Sequence, residues 1–302
     1  MVTLRFDGRT VVITGAGRGV GRAHALAFAR RGAAVVVNDI DAEPAVRTCD
    51  EITAAGGHAH PQHGDVSDPA VAKALVQCAI DTFGGVDVVV NNAGIDRVVR
   101  LAEVTPELLS EFFGVHVLAA HQVAAAAWPH LVRAGFGRII NTTSSAGYFG
   151  LKRALPYSVA KGALHALTQS LAAEGARHGI TVNAVAPFAA SRLARNRTVD
   201  APQLYDAIVR AAPAEAVSPV VLWLAHETTS VTGMAFEVGA GAVTRIAVGQ
   251  SAGLVADELT PELVRDNADA VLALQSMEFP DAGSTDRPLS RIVMQMAQPQ
   301  RR

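Results

Sequence analysis

Tyr157 and Lys161 stand four residues apart, and Ser144 lies thirteen before the tyrosine. Residues four apart on a helix share a face, so this spacing can set an ammonium group beside a phenol. A phenol with its ordinary pKa of about 10 is a poor base at neutral pH. A positive charge close by favours the phenolate and lowers that value. Tyr157 could then take a proton from a substrate hydroxyl, or return one to a carbonyl. The Ser144 hydroxyl could hold the same oxygen. Such a set suits a reaction in which carbon gives up hydride while its oxygen gives up a proton.

A second set supplies somewhere for the hydride to go. Thr14-Gly15-Ala16-Gly17-Arg18-Gly19-Val20-Gly21 follows the apolar run Thr10–Thr14 and opens a helix near Val20. Gly15, Gly19 and Gly21 suit a sharp turn, close approach of backbone to a pyrophosphate, and tight packing of helix on strand. The helix start then offers unpaired N–H groups and a positive dipole end to phosphate. Asp39 ends the next apolar run, eighteen positions after Gly21. A carboxylate there can accept both ribose hydroxyls of NAD and repel the 2′-phosphate of NADP. Arg18 has the opposite sign, but Asp39 lies closer to where that phosphate would sit, so NAD is expected over NADP.

The elements that must position these groups read as alternating strands and helices. Strands are expected at Thr10–Thr14, Ala34–Asn38, Ala59–His63, Val86–Val90, Arg138–Thr142, Thr181–Ala186 and Phe236–Val238. Helices fit between them at Val20–Arg31, Glu43–Ala55, Pro69–Phe83, Pro106–Ala134, Tyr157–His178 and Ala214–His226. Repeated βα units with apolar strands imply a parallel sheet covered on both faces. The expected fold class is therefore α/β, a single Rossmann-type, doubly wound, seven-stranded parallel sheet with a C-terminal helical extension. No linker or charge run divides the chain, so residues 1–302 read as one domain, with a core to about 245 and an extension over about 246–302. In that extension Thr260–Gln275 reads as a helix capped by Thr260, with Pro261 in its first turn.

Half of the 302 residues are hydrophobic and the formal net charge is −2. That balance implies no broad attraction to nucleic acid or to an anionic membrane. Cys49 and Cys78 form no metal-ligand spacing, and no metal site is expected. The first strand begins within ten residues of Met1, which leaves no room for a signal peptide and points to the cytoplasm. Phe112 to Val132 carries no Asp, Glu, Lys or Arg, a length that could suggest a membrane span. His116, His121, Gln122, Pro129 and His130 interrupt it, and a long helix buried on nearly all sides, partly by a neighbouring subunit, is the expectation.

Together the glycine run and the Ser/Tyr/Lys set resemble the short-chain dehydrogenase/reductase family, whose glycine motif reads TGxxxGxG and whose active site reads Ser, then YxxxK. The resemblance implies an NAD(P)-dependent enzyme acting on a secondary alcohol or ketone. It assigns the pyrophosphate loop to Gly15 through Gly21, including Gly17, Arg18 and Val20, and the adenine-binding aspartate to Asp65, followed by Val66. It matches Asn91-Asn92-Ala93-Gly94 to the NNAG motif lining the cofactor cleft, so that Asn92, Ala93 and Gly94 are expected beside the nucleotide. It also implies that Tyr157 and Lys161 meet the cofactor, Lys161 gripping the nicotinamide ribose. Where many members carry an asparagine that supports a water and the lysine, this chain has His116, which could serve through its carbonyl, through a ring nitrogen, or by packing. The usual Pro-Gly pair is Pro187-Phe188, and Ser191-Arg192 replaces the threonine that contacts the carboxamide, leaving Pro187 and Ser191 as the candidate contacts. The family buries two long helices in a dimer contact, often within a tetramer, so a homotetramer or homodimer is expected.

Several segments, among them Ala126-Ala127-Trp128-Pro129-His130 and Phe236-Glu237-Val238-Gly239-Ala240-Gly241, resemble one branch of that family. It comprises the (3R)-hydroxyacyl-CoA dehydrogenase domains of peroxisomal multifunctional enzyme type 2. The resemblance runs from Val2 to about Phe279 and implies a 3-hydroxyacyl thioester as the small-molecule substrate. Arg192, Arg195 and Arg197 could meet coenzyme A phosphates, or form a solvated basic loop. A hydroxysteroid or a 3-oxoacyl carrier protein is the alternative substrate. A dinucleotide-sensing binding protein without turnover is the reading from a different class, and the intact Ser144, Tyr157 and Lys161 speak against it.

Overall fold

Valine-rich runs form the centre of the sheet. In a computed structural model that describes residues 3–190, 195, 202–275, 277–284 and 289, Val11, Val12, Ile13, Val88, Val89 and Val90 are fully buried. Such continuous apolar runs are what a parallel sheet covered on both faces requires. In chain order the elements are β1 (Thr10–Ile13), α1 (Gly19–Ala29), β2 (Ala34–Asp39), α2 (Ala42–Ala54), β3 (His58–His63), α3 (Pro69–Phe83) and β4 (Val88–Asn91). Then come α4 (Pro106–Phe113), a π-helical turn (Gly114–Leu118), α5 (Ala119–Ala134), β5 (Gly137–Thr142), α6 (Ala146–Phe149), α7 (Leu155–Gly175) and β6 (Ile180–Pro187). The remainder is α8 (Pro202–Ala211), α9 (Ser218–Ala225), β7 (Ala235–Gly239), β8 (Ala242–Ile246), α10 (Pro261–Asp266) and α11 (Ala268–Leu272).

The strand order is β3-β2-β1-β4-β5-β6-β7-β8, and the pairings from β3 through β7 are parallel. Helices α1, α2 and α9 pack against one face, while α3, α5 and α7 cover the other. Side chains alternate accordingly: Val11, Ile13, Val35, Val37, Val88 and Val90 join Phe28 and Leu224 in one core cluster. β3, at the edge, contains Pro61, a residue that edge strands tolerate. The order reverses direction between β1 and β4. A doubly wound sheet opens its ligand crevice at that place, beyond the carboxyl ends of the strands.

Among the described residues the sheet has eight strands where the sequence pattern indicates seven. β8 returns beside β7 after a two-residue turn in which Ala240 (φ 50°) and Gly241 (φ 75°) both have left-handed backbone. Positive φ at both central residues is the signature of the tight hairpin turn that joins antiparallel neighbours. Four of the five residues of β8 are exposed, so no buried alternation marks it in the sequence. The expected single helix Pro106–Ala134 is interrupted by the π turn at Gly114–Leu118. By length and composition Pro106–Ala134 is apolar enough to cross a membrane. In the fold it is one of the helical layers, with Val123, Ala124, Ala127 and Leu131 fully buried.

By contacts the chain divides into two units, Met1–Arg245 and Ile246–Arg302. In the second unit Thr260 caps α10 by accepting from the Leu263 N–H at 3.1 Å. The expected helix Thr260–Gln275 is broken at Asn267, whose side-chain amide donates to the Leu263 carbonyl at 2.9 Å. Asparagine side chains compete for helical backbone groups in this way.

Candidate active site

The glycine loop runs from the end of β1 to the start of α1, and close contacts explain three of its glycines. A Cβ at Gly15 would lie 2.9 Å from the Ala93 Cα, and one at Gly21 would lie 2.3 Å from the Gly15 carbonyl oxygen. A Cβ at Gly17 would lie 2.7 Å from the Asp39 Oδ2. At Gly19 (φ 54°) a Cβ would meet nothing within 4 Å, which leaves the open side of the loop clear for a ligand. Thr14 Oγ1 accepts from both the Asn92 and Ala93 N–H groups at 3.0 Å. The Asn92 side-chain amide donates to the Thr14 and Gly15 carbonyls at 3.0 and 3.1 Å. Asn92 thus clamps the end of β4 to the glycine loop. These residues form a cradle that fits a dinucleotide.

Asp39 ends β2 and is 5% exposed. Its Oδ2 accepts from the Gly17 N–H at 3.0 Å and its Oδ1 from the Asp41 N–H at 3.1 Å. Each oxygen keeps a lone pair for a ribose hydroxyl. Arg18 lies 3.8 Å from Asp39 but pairs more closely with Asp41, at 2.6 Å. Asp65 is exposed and accepts from the Ser67 N–H at 2.9 Å, while the following Val66 is buried.

Helix α7 carries Tyr157 and Lys161 on its buried face, 9% and 3% exposed. The Lys161 Nζ lies 5.6 Å from the centre of the Tyr157 ring and donates to the Thr142 carbonyl. Burial pulls its pKa down to about 7, and the Asp96 carboxylate acts the other way. Thr143 Oγ1 donates to the Lys161 carbonyl at 2.8 Å, so the end of β5 is tied to α7 at both groups of this lysine. Ser144 comes next along the chain. Its Oγ accepts from the Ala146 N–H at 3.2 Å, which leaves the hydroxyl proton to donate elsewhere.

His116 sits in the π turn, 2% exposed, with its ring 5.6 Å from that of Tyr157 and edge-on to it. Single π turns within α-helices recur at functional sites. Its Nε2 lies 2.9 Å from the Ile95 carbonyl oxygen and 3.2 Å from the Ile95 nitrogen, and the tautomer decides which bond forms. A Cβ at Gly94 would lie 2.6 Å from this ring, so the glycine after Ala93 is what admits the histidine. Burial and the Lys161 charge hold the imidazole well below its usual range, so it is neutral at pH 7. Its Nδ1 is buried with no hydrogen-bond partner among the described residues.

The sheet therefore gathers the glycine loop, Asp39, Asn92, Ala93 and Gly94 at one end. The contacts of Lys161 with Thr142, and of His116 with Tyr157 and Ile95, place the Ser144, Tyr157, Lys161 and His116 set beside them. Pro187 ends β6, and Phe188 donates its N–H to the Val238 carbonyl at 2.7 Å. Ser191, Arg192 and Arg197 lie outside the described residues, and Arg195 is exposed. Sequence reasoning misses Asp96 and Asp41. Asp96, two residues beyond Asn92-Ala93-Gly94, is detectable as an acid close behind that motif. The Thr142 carbonyl that receives Lys161 leaves no side-chain signal.

Comparison with known proteins identifies the family. The short chain dehydrogenase family model matches residues 9–199. Peroxisomal multifunctional enzyme A of Dictyostelium discoideum is 38% identical over 292 residues, covering 94% of this chain and 64% of that one. The crystal structure of a short chain dehydrogenase from Mycobacterium avium superimposes with a TM-score of 0.75 at 39% identity, covering 92% of this chain and 99% of that one. Full-length peroxisomal multifunctional enzyme type 2 of Drosophila melanogaster gives a TM-score of 0.80 at 30% identity, covering 97% of this chain and 50% of that one. The chain thus spans about half to two thirds of the two multifunctional relatives. It belongs to the short-chain dehydrogenase family, whose members are oxidoreductases acting on CH–OH groups.

Proposed function

We propose that the protein is an NAD-dependent dehydrogenase that interconverts a (3R)-3-hydroxyacyl thioester, a coenzyme A ester, and its 3-oxoacyl counterpart. The observation that carries the chemistry is the buried Tyr157–Lys161 pair on one face of α7, joined to the end of β5. NAD, when bound, supplies the hydride acceptor. The N–H groups of the Gly15–Gly21 loop and the start of α1 would hold its pyrophosphate, and Asp39 its adenosine ribose. Tyr157 takes the substrate hydroxyl proton, and the Lys161 ammonium makes its phenolate accessible near neutrality. The Ser144 hydroxyl donates to the substrate oxygen and fixes its direction. His116, neutral and locked on Ile95, shapes the wall beside the tyrosine.

Support for an acyl substrate comes from the likeness to the multifunctional enzymes and from the surface near the catalytic pair. Leu101 and Phe149 are each 75% exposed, and Leu151 and Leu155 are partly exposed. They flank two segments joined by the Val99 N–H donating to the Arg153 carbonyl at 3.0 Å. Val99 itself packs in one cluster with Tyr157. An acyl chain would cover this apolar rim.

The decisive measurement is reduction of NAD with both enantiomers of a 3-hydroxyacyl-CoA. Turnover of the (3R) isomer with none of the (3S) is expected, because hydride and proton must leave towards fixed groups while the chain lies in one direction. Turnover of a hydroxysteroid or a carrier-protein ester alone would overturn the substrate. Tight NAD binding without any turnover would replace the enzyme with a sensor.

A further inference from the structure

Asp41 is the residue before α2 and has the extended backbone of a helix N-cap (φ −94°, ψ 122°). An aspartate in that position ordinarily accepts a hydrogen bond from a first-turn N–H. Its side chain makes no such cap bond. It accepts instead from the Arg18 guanidinium, Nη1 to Oδ2 at 2.6 Å, across twenty-three residues of chain. Arg18 comes from the glycine loop, between Gly17 and Gly19. Its partner could have been Asp39, but that carboxylate is 3.8 Å away and already accepts from the Gly17 and Asp41 N–H groups. Three charged groups of the loop edge are thus ordered so that the arginine is turned onto the outer carboxylate and the inner one is left for a ligand.

The chemistry of this arrangement follows from the charges. An arginine in a glycine loop is a natural partner for a ribose 2′-phosphate, since a planar guanidinium pairs bidentately with phosphate. Here two carboxylates oppose one guanidinium, and the edge remains negative. We propose that Asp41 is a cofactor-specificity residue: by holding Arg18 it keeps the basic group of the loop from serving a 2′-phosphate, so that a loop containing an arginine still selects NAD. The proposal rests on the assignment of NAD made above. Asp41 meets neither the reacting carbon nor the nicotinamide, and it acts through Arg18.

Calorimetric titration with NAD, NADP, AMP and adenosine 2′,5′-bisphosphate tests this without turnover. Asp41→Ser removes the charge but retains a side chain able to cap α2. It should tighten NADP and the bisphosphate roughly tenfold, the scale of one charge-assisted contact, and leave NAD and AMP within about twofold. In the double variant Arg18→Ala with Asp41→Ser the gain should vanish, because the freed guanidinium produces it. An NAD-preferring wild type whose NADP-to-NAD ratio does not move in Asp41→Ser would overturn the role of Asp41 alone. A gain that persists without Arg18 would do the same. A wild type that binds NADP more tightly than NAD would overturn the NAD assignment itself.

Discussion

One oxygen atom separates Tyr157 from phenylalanine, and the proposed proton transfer depends on it. Tyr157→Phe leaves the aromatic contact with His116 possible and leaves the glycine loop and Asp39 untouched. Turnover should fall by about 10²-fold or more, the usual scale of general acid–base catalysis, while the NAD dissociation constant changes little. Undiminished turnover would remove the tyrosine from the chemistry. Lys161 illustrates why the residue needs its surroundings: in water its ammonium would persist far above neutrality, but burial brings its pKa to about 7. Asp96, Tyr157 and His116 are the groups that share its space.

Elements are joined in this fold by a few buried polar contacts. His24 on α1 meets Ser218 at the start of α9, Nδ1 to Oγ at 2.8 Å, and burial pushes the imidazole down to about 3. Its folded pKa lies below the unfolded value of about 6.5, so only the unfolded chain takes up a proton between those limits. The stability present above pH 6.5 is therefore lost as pH falls towards 3, by about 1.4 kcal/mol per pH unit. The neutral His116 adds a slope of the same sign. Urea midpoints at pH 7 and pH 5 should show that His24→Gln loses about 2 kcal/mol less than wild type over that interval. An identical loss would mean that His24 is not the buried neutral group.

At the opposite end of the sheet Arg138, on β5, donates to the carbonyls of Gly137, Gly179, His226, Glu227 and Thr229 over 2.9 to 3.4 Å. It also stacks on Phe136 at 4.2 Å. Arg138→Leu strands those carbonyls and should cost about 3 kcal/mol. For a domain of this size the corresponding drop in Tm is roughly 6–12 °C. Calorimetric melting reads it, and KM for NAD at low temperature should not move. An unchanged Tm would show that these carbonyls find other partners.

For the whole molecule, the outer surfaces of α5 and α7 leave a groove of about 310 Å³ lined by His121, Ala125, Trp128, Pro129, Leu171 and Glu174. A groove between two long helices offers room for side chains of a second copy. We expect a symmetric homo-oligomer, a tetramer before a dimer, with these helices facing their counterparts. Sedimentation at micromolar concentration should show it, and Leu171→Arg should yield a smaller species. A monomeric wild type would overturn this assembly.

The alternation of apolar strands with helices is local and legible in the residues alone: all seven expected strands are present within one or two residues at each end. The pairing of Tyr157 with Lys161 is equally legible, because helical periodicity alone brings positions four apart together. The glycine spacing and Asp39 can be read because a loop, a strand end and a phosphate impose their residue types within one βα unit. The hairpin to β8 cannot, since its exposed residues carry no buried period and Ala240 does not announce a left-handed turn. Neither can the π turn at His116, nor the break at Asn267, where a side-chain amide takes the Leu263 carbonyl from the helix. Asp96 beside Lys161, and Asp41 on Arg18, depend on segments that only the sheet order brings together. Residue types and short spacings determined the chemistry available to this chain, whereas tertiary burial moved the pKa of Lys161 down to about 7 and that of His116 well below its usual range, because only packing sets how much water a charged group keeps.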